Sequence, residues 1–161
     1  MRLSILSTDP PGFVLPLRLL AGFRVLVDRL HAELAEHGHP GLRPVHGFVL
    51  QAIGPGGVSA ADLGRRLGVS KQAAGKHLET LERLGYVERV PDPADARSKL
   101  ARLTSRGTDS LALSARIFER LRSEWSTALG PDRLRALEED LAKVTPGVLL
   151  PLDVPGWFGG A

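Results

Sequence analysis

Residues 59–107 read SAADLGRRLGVSKQAAGKHLETLERLGYVERVPDPADARSKLARLTSRG. Two amphipathic segments meet at a tight turn around Gly68. In the first, Ala60, Leu63 and Leu67 fall on one face. In the second, Ala74, Leu78, Leu81 and Leu84 recur at steps of three and four, the helical spacing. Ser59 and Ser70 stand before these segments as N-caps, and Ser59-Ala60-Ala61-Asp62 fits a capping box in which the Asp62 carboxylate reaches back to the cap N–H. Gly68 can close the first helix in the left-handed conformation, Val69 plugs the angle between the helices, and Gly85 stops the second. Tyr86–Val90 and Lys99–Leu103 read as strands, joined by a turn rich in Pro and Asp over Pro91–Ser98. Helix, turn, helix and two-stranded wing, in that order, make a device suited to docking on duplex DNA.

Outward from this stretch the chain reads as helical. The lead-in up to Gly12 is irregular. From about Pro16 to Glu36, the apolar residues Leu17, Leu20, Ala21, Val27, Leu30, Ala32 and Leu34 oppose a face of Arg18, Arg24, Asp28, Arg29, Glu33 and Glu36. Pro16 fits the first turn, where its missing N–H is not needed. Gly38, Pro40 and Gly41 end this helix. Val45–Ile53 is a short, buried second helix, broken by Gly54-Pro55-Gly56-Gly57. Thr104 caps a long helix carrying Leu111, Ile117, Phe118, Leu121, Trp125 and Leu129, which Gly130-Pro131 breaks. A last helix over Asp132–Val144 is expected to bury Leu134, Leu137, Leu141 and Val144. The tail, PGVLLPLDVPGWFGGA over 146–161, is too rich in Pro and Gly for a regular helix. Its Leu149, Leu150, Trp157 and Phe158 are expected to pack, most readily across a dimer, since burying a large apolar side chain stabilises by about 1.5–3 kcal/mol.

The chain has 161 residues, 43% of them hydrophobic and 24% charged, which suits one compact unit with a real core. Net charge is only +3, with a sequence pI of about 9.8. The basic residues concentrate between Asp62 and Arg106, as expected for a polyanion partner. The absence of cysteine excludes a disulfide, a thiolate metal site and a cysteine redox sensor. No apolar run approaches the roughly 18 residues of a membrane span, and the first residues do not form a secretory signal, so the expectation is a cytoplasmic protein without a membrane partner. No Ser/His/Asp arrangement or HExxH is present, and Gly54–Gly57 lacks the lysine of a phosphate loop. The reading is therefore not an enzyme, with no cofactor and no metal.

The segment Leu81-x-x-Leu84-Gly85-Tyr86-Val87-x-Arg89, the wing residues Asp92-Pro93 and Asp95-Ala96-Arg97, and Leu103-Thr104-x-x-Gly107 together resemble the MarR family of bacterial transcription regulators. The resemblance covers roughly Phe13–Val144. It implies a mostly α protein with a small β wing: a MarR-like unit over 1–145, in which 13–38 and 104–144 are dimerisation helices and 45–103 is the winged helix-turn-helix DNA-binding lobe, followed by the tail 146–161. It also implies a homodimer, paired through the first, fifth and sixth helices, that straddles a pseudo-palindromic operator on double-stranded DNA as a repressor or activator. Family members commonly bind small aromatic or phenolic effectors between the dimerisation helices and the DNA-binding lobe. Two features depart from the pattern: the long apolar tail, and Gly75 midway along the recognition helix, where it costs about 1 kcal/mol of helix stability.

On the recognition helix Ser70, Lys71, Gln72, Gly75, Lys76 and His77 are the candidate contacts. Lysine suits guanine acceptors or phosphate, glutamine suits adenine, and His77 suits phosphate at the edge of that face. On the wing the candidates are Arg89, Asp95, Arg97, Lys99 and Arg102. Arg97 at the tip suits a narrow minor groove, with the Asp95 carboxylate holding its guanidinium. Arg89, Lys99 and Arg102, with Arg65 and Arg66 on the preceding helix, suit the DNA backbone. The candidate effector pocket comprises Phe23, His46, Phe48, Phe118 and Trp125, although aromatics at helical spacing also serve as core and His46 also reads as a satisfied core histidine. His37 and His39 flank a glycine and read as an incidental pair rather than a metal site. Two rival readings stay open: a winged-helix protein–protein module without DNA binding, and a metal-responsive regulator of the ArsR type, which shares the KHLETL-like helix but against which the lack of cysteine argues.

Overall fold

The computed structural model describes residues 9–147, so the tail and its expected packing lie outside the described residues. The order is α1 (Val14–Glu36), α2 (Pro44–Ile53), α3 (Ala60–Leu67), α4 (Lys71–Arg83), β1 (Val87–Asp92), β2 (Asp95–Leu103), α5 (Ser105–Leu129) and α6 (Pro131–Val144). No helix is long and apolar enough to cross a membrane among the described residues.

The caps read from sequence set the helix starts. Ser59 Oγ accepts from Asp62 N–H (3.1 Å), Ser70 Oγ from Ala73 N–H (3.0 Å) and Thr104 Oγ1 from Gly107 N–H (3.2 Å). The capping box is not reciprocal as expected: the Asp62 carboxylate accepts from the Ser59 hydroxyl (2.8 Å) instead of the cap N–H, because the short Asp side chain reaches less far than Glu. Gly68 adopts φ +68°, ψ 27° and closes α3. At Gly64 a Cβ would lie 2.8 Å from the Val69 carbonyl, so its lack of a side chain lets the α3–α4 turn fold back tightly.

One continuous core joins Leu30 and Leu34 of α1, Val49, Leu50 and Ile53 of α2, Leu63 of α3, Ala74, Leu78 and Leu81 of α4, Tyr86, Val87 and Ala101 of the wing base, and Ile117 and Leu121 of α5. A bridge adds to it. Val58 and Ala101 exchange both backbone hydrogen bonds (2.9 and 2.8 Å), which ties the α2–α3 connection to the wing.

Three expectations are corrected. The segment Pro91–Ser98 is not an open turn. The strands extend through it, with Pro91 opposite Lys99 and Asp92 opposite Asp95 across a register irregularity. Only residues 93–94 turn. In a two-stranded ribbon every strand is an edge, so Pro91 is tolerated, and Asp92 Oδ1 accepts from Ala94 N–H (2.8 Å), the local bond by which Asp favours tight turns. Second, the face read as apolar on α1 is buried only in part. Val27, Leu30 and Leu34 are covered, whereas Leu17 and Leu20 are exposed along with Phe13, Leu15, Leu19 and Val25. Third, on α6 Leu134 is buried but Leu137 and Val144 are exposed, since α6 packs chiefly against α5.

The junction of α4, wing and α5 explains the Leu103-Thr104-x-x-Gly107 pattern. Thr104 N–H donates to the Tyr86 carbonyl (3.1 Å) and its hydroxyl to the Gly85 carbonyl (2.6 Å). The first turn of α5 then presses so closely on β1 that a Cβ on Gly107 would lie 2.3 Å from the Tyr86 oxygen. Gly107→Ala is expected to lower stability by about 2–3 kcal/mol through overpacking against backbone. A urea midpoint equal to the wild type would show that the contact is not tight.

Candidate functional site

α4 presents its polar face as expected at its amino end. Ser70, Lys71, Gln72 and Lys76 are exposed, and Gly75 has open space where a Cβ would stand. The glycine is therefore not required by any contact within this chain. His77 departs from the expected face: it is half-buried, and burial lowers its pKa. It lies close enough to His46 for their charges to interact, so it belongs to the α2–α4 contact rather than to the outer surface.

The wing sorts its cations into two groups. Arg102 donates from Nε (3.1 Å) and Nη2 (2.8 Å) to Glu88, its cross-strand partner. Arg89 is half-buried, 3.8 Å from Glu82, and its Nε has no hydrogen-bond partner. Both are thus paired with carboxylates of their own chain. Asp95 does act on Arg97, but through the backbone: Asp95 Oδ1 accepts the Arg97 N–H (3.0 Å). The carboxylate therefore shapes the hairpin tip and leaves the guanidinium projecting. Of the expected DNA-contact cations, Lys71, Lys76, Arg97 and Lys99 are exposed without a carboxylate partner, a state they share with Arg83 on α4 and with cations elsewhere such as Arg18 and Arg133. On α3, Arg65 pairs with Asp62. Arg66 donates to the Ala52 carbonyl (2.7 Å), satisfying the last turn of α2 and locking that helix to α3.

A cavity of about 550 Å³ lies between α1, α2 and α5. Of the expected pocket residues, Phe23, Phe48 and Phe118 line it and two do not. Trp125 instead lines a second hollow, of about 380 Å³, toward α6, and its ring packs over Gly22. His46 faces away. It is buried, and its Nδ1 accepts the Arg43 N–H (3.1 Å), satisfying the start of α2 with an imidazole in the place a carboxylate usually takes. Burial, with His77 and Arg43 adding positive potential, lowers its pKa to about 4.

Sequence reasoning missed the polar atoms of the cavity: His31, Gln51, Ser110 and Ser114. Ser110 and Ser114 are one turn apart in an apolar helix face, and His31 interrupts the apolar stripe of α1. Those interruptions were the available signal. The pair His37 and His39 points apart. His37 Nδ1 donates to the Glu33 carbonyl (2.7 Å), while His39 is buried against the Tyr86 hydroxyl (2.9 Å). Among the described residues no group of three or more His, Asp or Glu is placed to hold a metal.

A family model described as the MarR family matches residues 41–98. The HTH-type transcriptional regulator YdgJ of Bacillus subtilis (strain 168), itself uncharacterised, is 31% identical over 87 residues, which make up 54% of this chain and 53% of that protein. The match thus spans about half the length of the curated relative. The crystal structure of wild-type apo MarR from E. coli superposes with a TM-score of 0.63 at 25% identity, covering 87% of this chain and all of that one. Streptococcus pneumoniae FabT, crystallised in complex with DNA, gives a TM-score of 0.69 at 20% identity over 81% of this chain and 92% of its own.

The buried histidines predict a pH dependence. The unfolded chain's histidines titrate near the ordinary imidazole value of about 6.5, whereas folded His46 resists protonation down to about 4. Between those values the unfolded state binds more protons, so stability is full above about pH 6.5 and falls as pH drops toward about 4. His46 alone should contribute a loss of roughly 2–3 kcal/mol, and His31 and His77, also lowered, act in the same direction. Denaturant titrations across this window should show the decline, with a smaller one for His46→Gln, which keeps an acceptor for Arg43. Equal slopes for the two proteins would remove His46 from the effect.

Proposed function

With residues 41–98 matching a model of the MarR family and 87% of the chain superposing on apo MarR, we propose that this protein is a MarR-type transcriptional regulator rather than an enzyme, and that it binds specific double-stranded DNA as a homodimer and responds to a small ligand. The observation that carries the reading is the group of exposed cations without a carboxylate partner at the amino end of α4, Lys71 and Lys76, and on the hairpin, Arg97 and Lys99. Gln72 beside the lysines adds a side chain able to read adenine, and Arg97 at the tip suits the negative potential of a narrow minor groove. FabT, of the same fold, was crystallised on DNA.

The homodimer reading rests on the exposed apolar side chains of α1 and α6. Phe13, Leu15, Leu17, Leu19, Leu137 and Val144 are all 40% or more accessible in the single chain. A second copy would cover them, and two lobes held at fixed separation would read half-sites about one DNA turn apart. Ligand response rests on the cavity and on α2. One face of α2, with Pro44, Gly47 and Phe48, lines the cavity. The opposite face, with Val49 and Ile53, sits in the core shared with α3 and α4. A ligand that prefers one position of α2 would shift the recognition helix with it.

Selection of bound fragments from a genomic DNA pool tests the reading and yields the half-site spacing. A retained fragment should weaken steeply with salt. No retention even at low salt would return the chain to the class of winged-helix protein-binding modules. With such a fragment, Arg97→Ala is expected to weaken binding while sedimentation still reports a dimer, and Lys76→Ala to reduce the salt slope by about 1. Wild-type affinity in the first variant would remove the wing tip from the interface, and an unchanged slope in the second would place Lys76 away from phosphate.

A further inference from the structure

Gly75 lies inside α4, where a glycine weakens a helix relative to alanine because the unfolded chain keeps more freedom. Most glycines inside the other helices have a visible reason. Gly22 is packed by the Trp125 ring at 3.3 Å. A Cβ on Gly64 or Gly107 would collide with the carbonyl oxygen of Val69 or Tyr86. Gly47 borders the cavity between α1, α2 and α5. Gly75 has no such reason. It does not hold a positive φ, and no described atom lies within 4 Å of the place a Cβ would take. The gap opens among polar residues. Lys71 and Gln72 stand one turn before it, Lys76 beside it and Glu79 one turn after, all exposed. The lysines suit phosphate, which draws the helix inward on a duplex. Glu79 does not suit phosphate. A carboxylate here suits the groove floor, where cytosine N4–H donates. The gap thus lies between Gln72 and Glu79, two side chains whose chemistry matches base edges.

Resting on the reading of α4 as the helix that enters the major groove, we propose that Gly75 is a specificity-determining residue: its lack of a side chain seats the helix against the C5-methyl group of one thymine in each half-site, next to the base read by Gln72. The chemistry of the gap favours that group. A helical glycine offers no side-chain donor or acceptor. A base edge pressed against it gives up water and gains no hydrogen bond, which is costly for the donors and acceptors of guanine, adenine and cytosine. The thymine methyl is apolar, projects into the groove and needs no hydrogen bond. A Cβ at position 75 would occupy the space the methyl takes.

The test uses the full chain, its Gly75→Ala variant and the genomic fragment that the wild type retains, with each thymine in turn replaced by uracil, which lacks only the methyl group. Gly75→Ala should raise the urea midpoint, since alanine is the better helix former, yet weaken binding to the thymine fragment by about tenfold. Uracil at one position of a half-site should weaken the wild type by about fourfold, the scale of one buried methyl group. At that same position uracil should leave Gly75→Ala unchanged or improve its binding, because the alanine methyl fills the space vacated by the base. Such non-additivity identifies the contacting pair. A Gly75→Ala protein that binds like the wild type would overturn the proposal while leaving DNA recognition in place, and so would losses that simply add at every uracil position. A lowered urea midpoint would assign the glycine to the fold and overturn the proposal too. Retention of no fragment by the wild type, even at low salt, would overturn the regulator reading and this proposal with it.

Discussion

The architecture turns on Tyr86, a single buried residue whose polar groups are each committed to a different element. Its N–H donates to the Leu81 carbonyl (2.9 Å) and closes α4. Its carbonyl accepts the Thr104 N–H and is overlaid by Gly107 at the start of α5. Its hydroxyl meets His39 (2.9 Å) and accepts from Arg106 Nη2 (3.2 Å), and the same Nη2 also donates to the Gly38 carbonyl (2.8 Å). The Arg106 guanidinium lies 4.7 Å over the Tyr86 ring, a cation–π contact. The recognition helix, the wing, the loop after α1 and the long helix α5 are thus positioned from one point. Losing it would disturb four directions of the chain together, a larger effect than the burial of one aromatic ring alone.

α2 is the second constraint. It is short, and both of its ends depend on side chains from elsewhere or from unusual positions: the His46 imidazole at its start, and Arg66 of α3 at its last turn. A helix so held is coupled to α3. Its placement between the cavity and the winged lobe would give a ligand held there leverage over the lobe, since packed interiors shift as units and do not deform smoothly. The exposed ion pairs between α1 and α5, such as Arg29 with Glu124 and Arg120 with Glu33, add orientation more than stability.

Much of this was legible in the chain. Helix existence, the three hydroxyl caps and the left-handed Gly68 followed from local chemistry, because a cap or a positive φ is decided by neighbours in sequence. The exposed polar face at the amino end of α4 followed from three-and-four periodicity, His77 excepted. The features that sequence reading did not show depend on distant partners. The register of β1 and β2 sets Glu88 beside Arg102, and the packing of α4 on the wing sets Glu82 beside Arg89. His46 is the satisfied core histidine that was one of its two readings, and the cavity takes His31 of α1 instead, because helical rotation decides whether a ring faces a cavity or a cap. Pro and Asp in the wing signalled a turn correctly but said nothing of its length.

That length has a consequence for recognition. Were Pro91–Ser98 a slack eight-residue loop, pinning it against a partner would cost backbone entropy on the order of 1–2 kcal/mol for each residue fixed. Instead the strands run to the apex, and two Asp side chains bond the turn from within. The conformational ordering takes place when the protein folds, not when it docks, so more of each contact made at the tip survives as affinity. A finger of this kind is a stiff probe, and its aim is fixed at the hinge where Tyr86 meets Gly107.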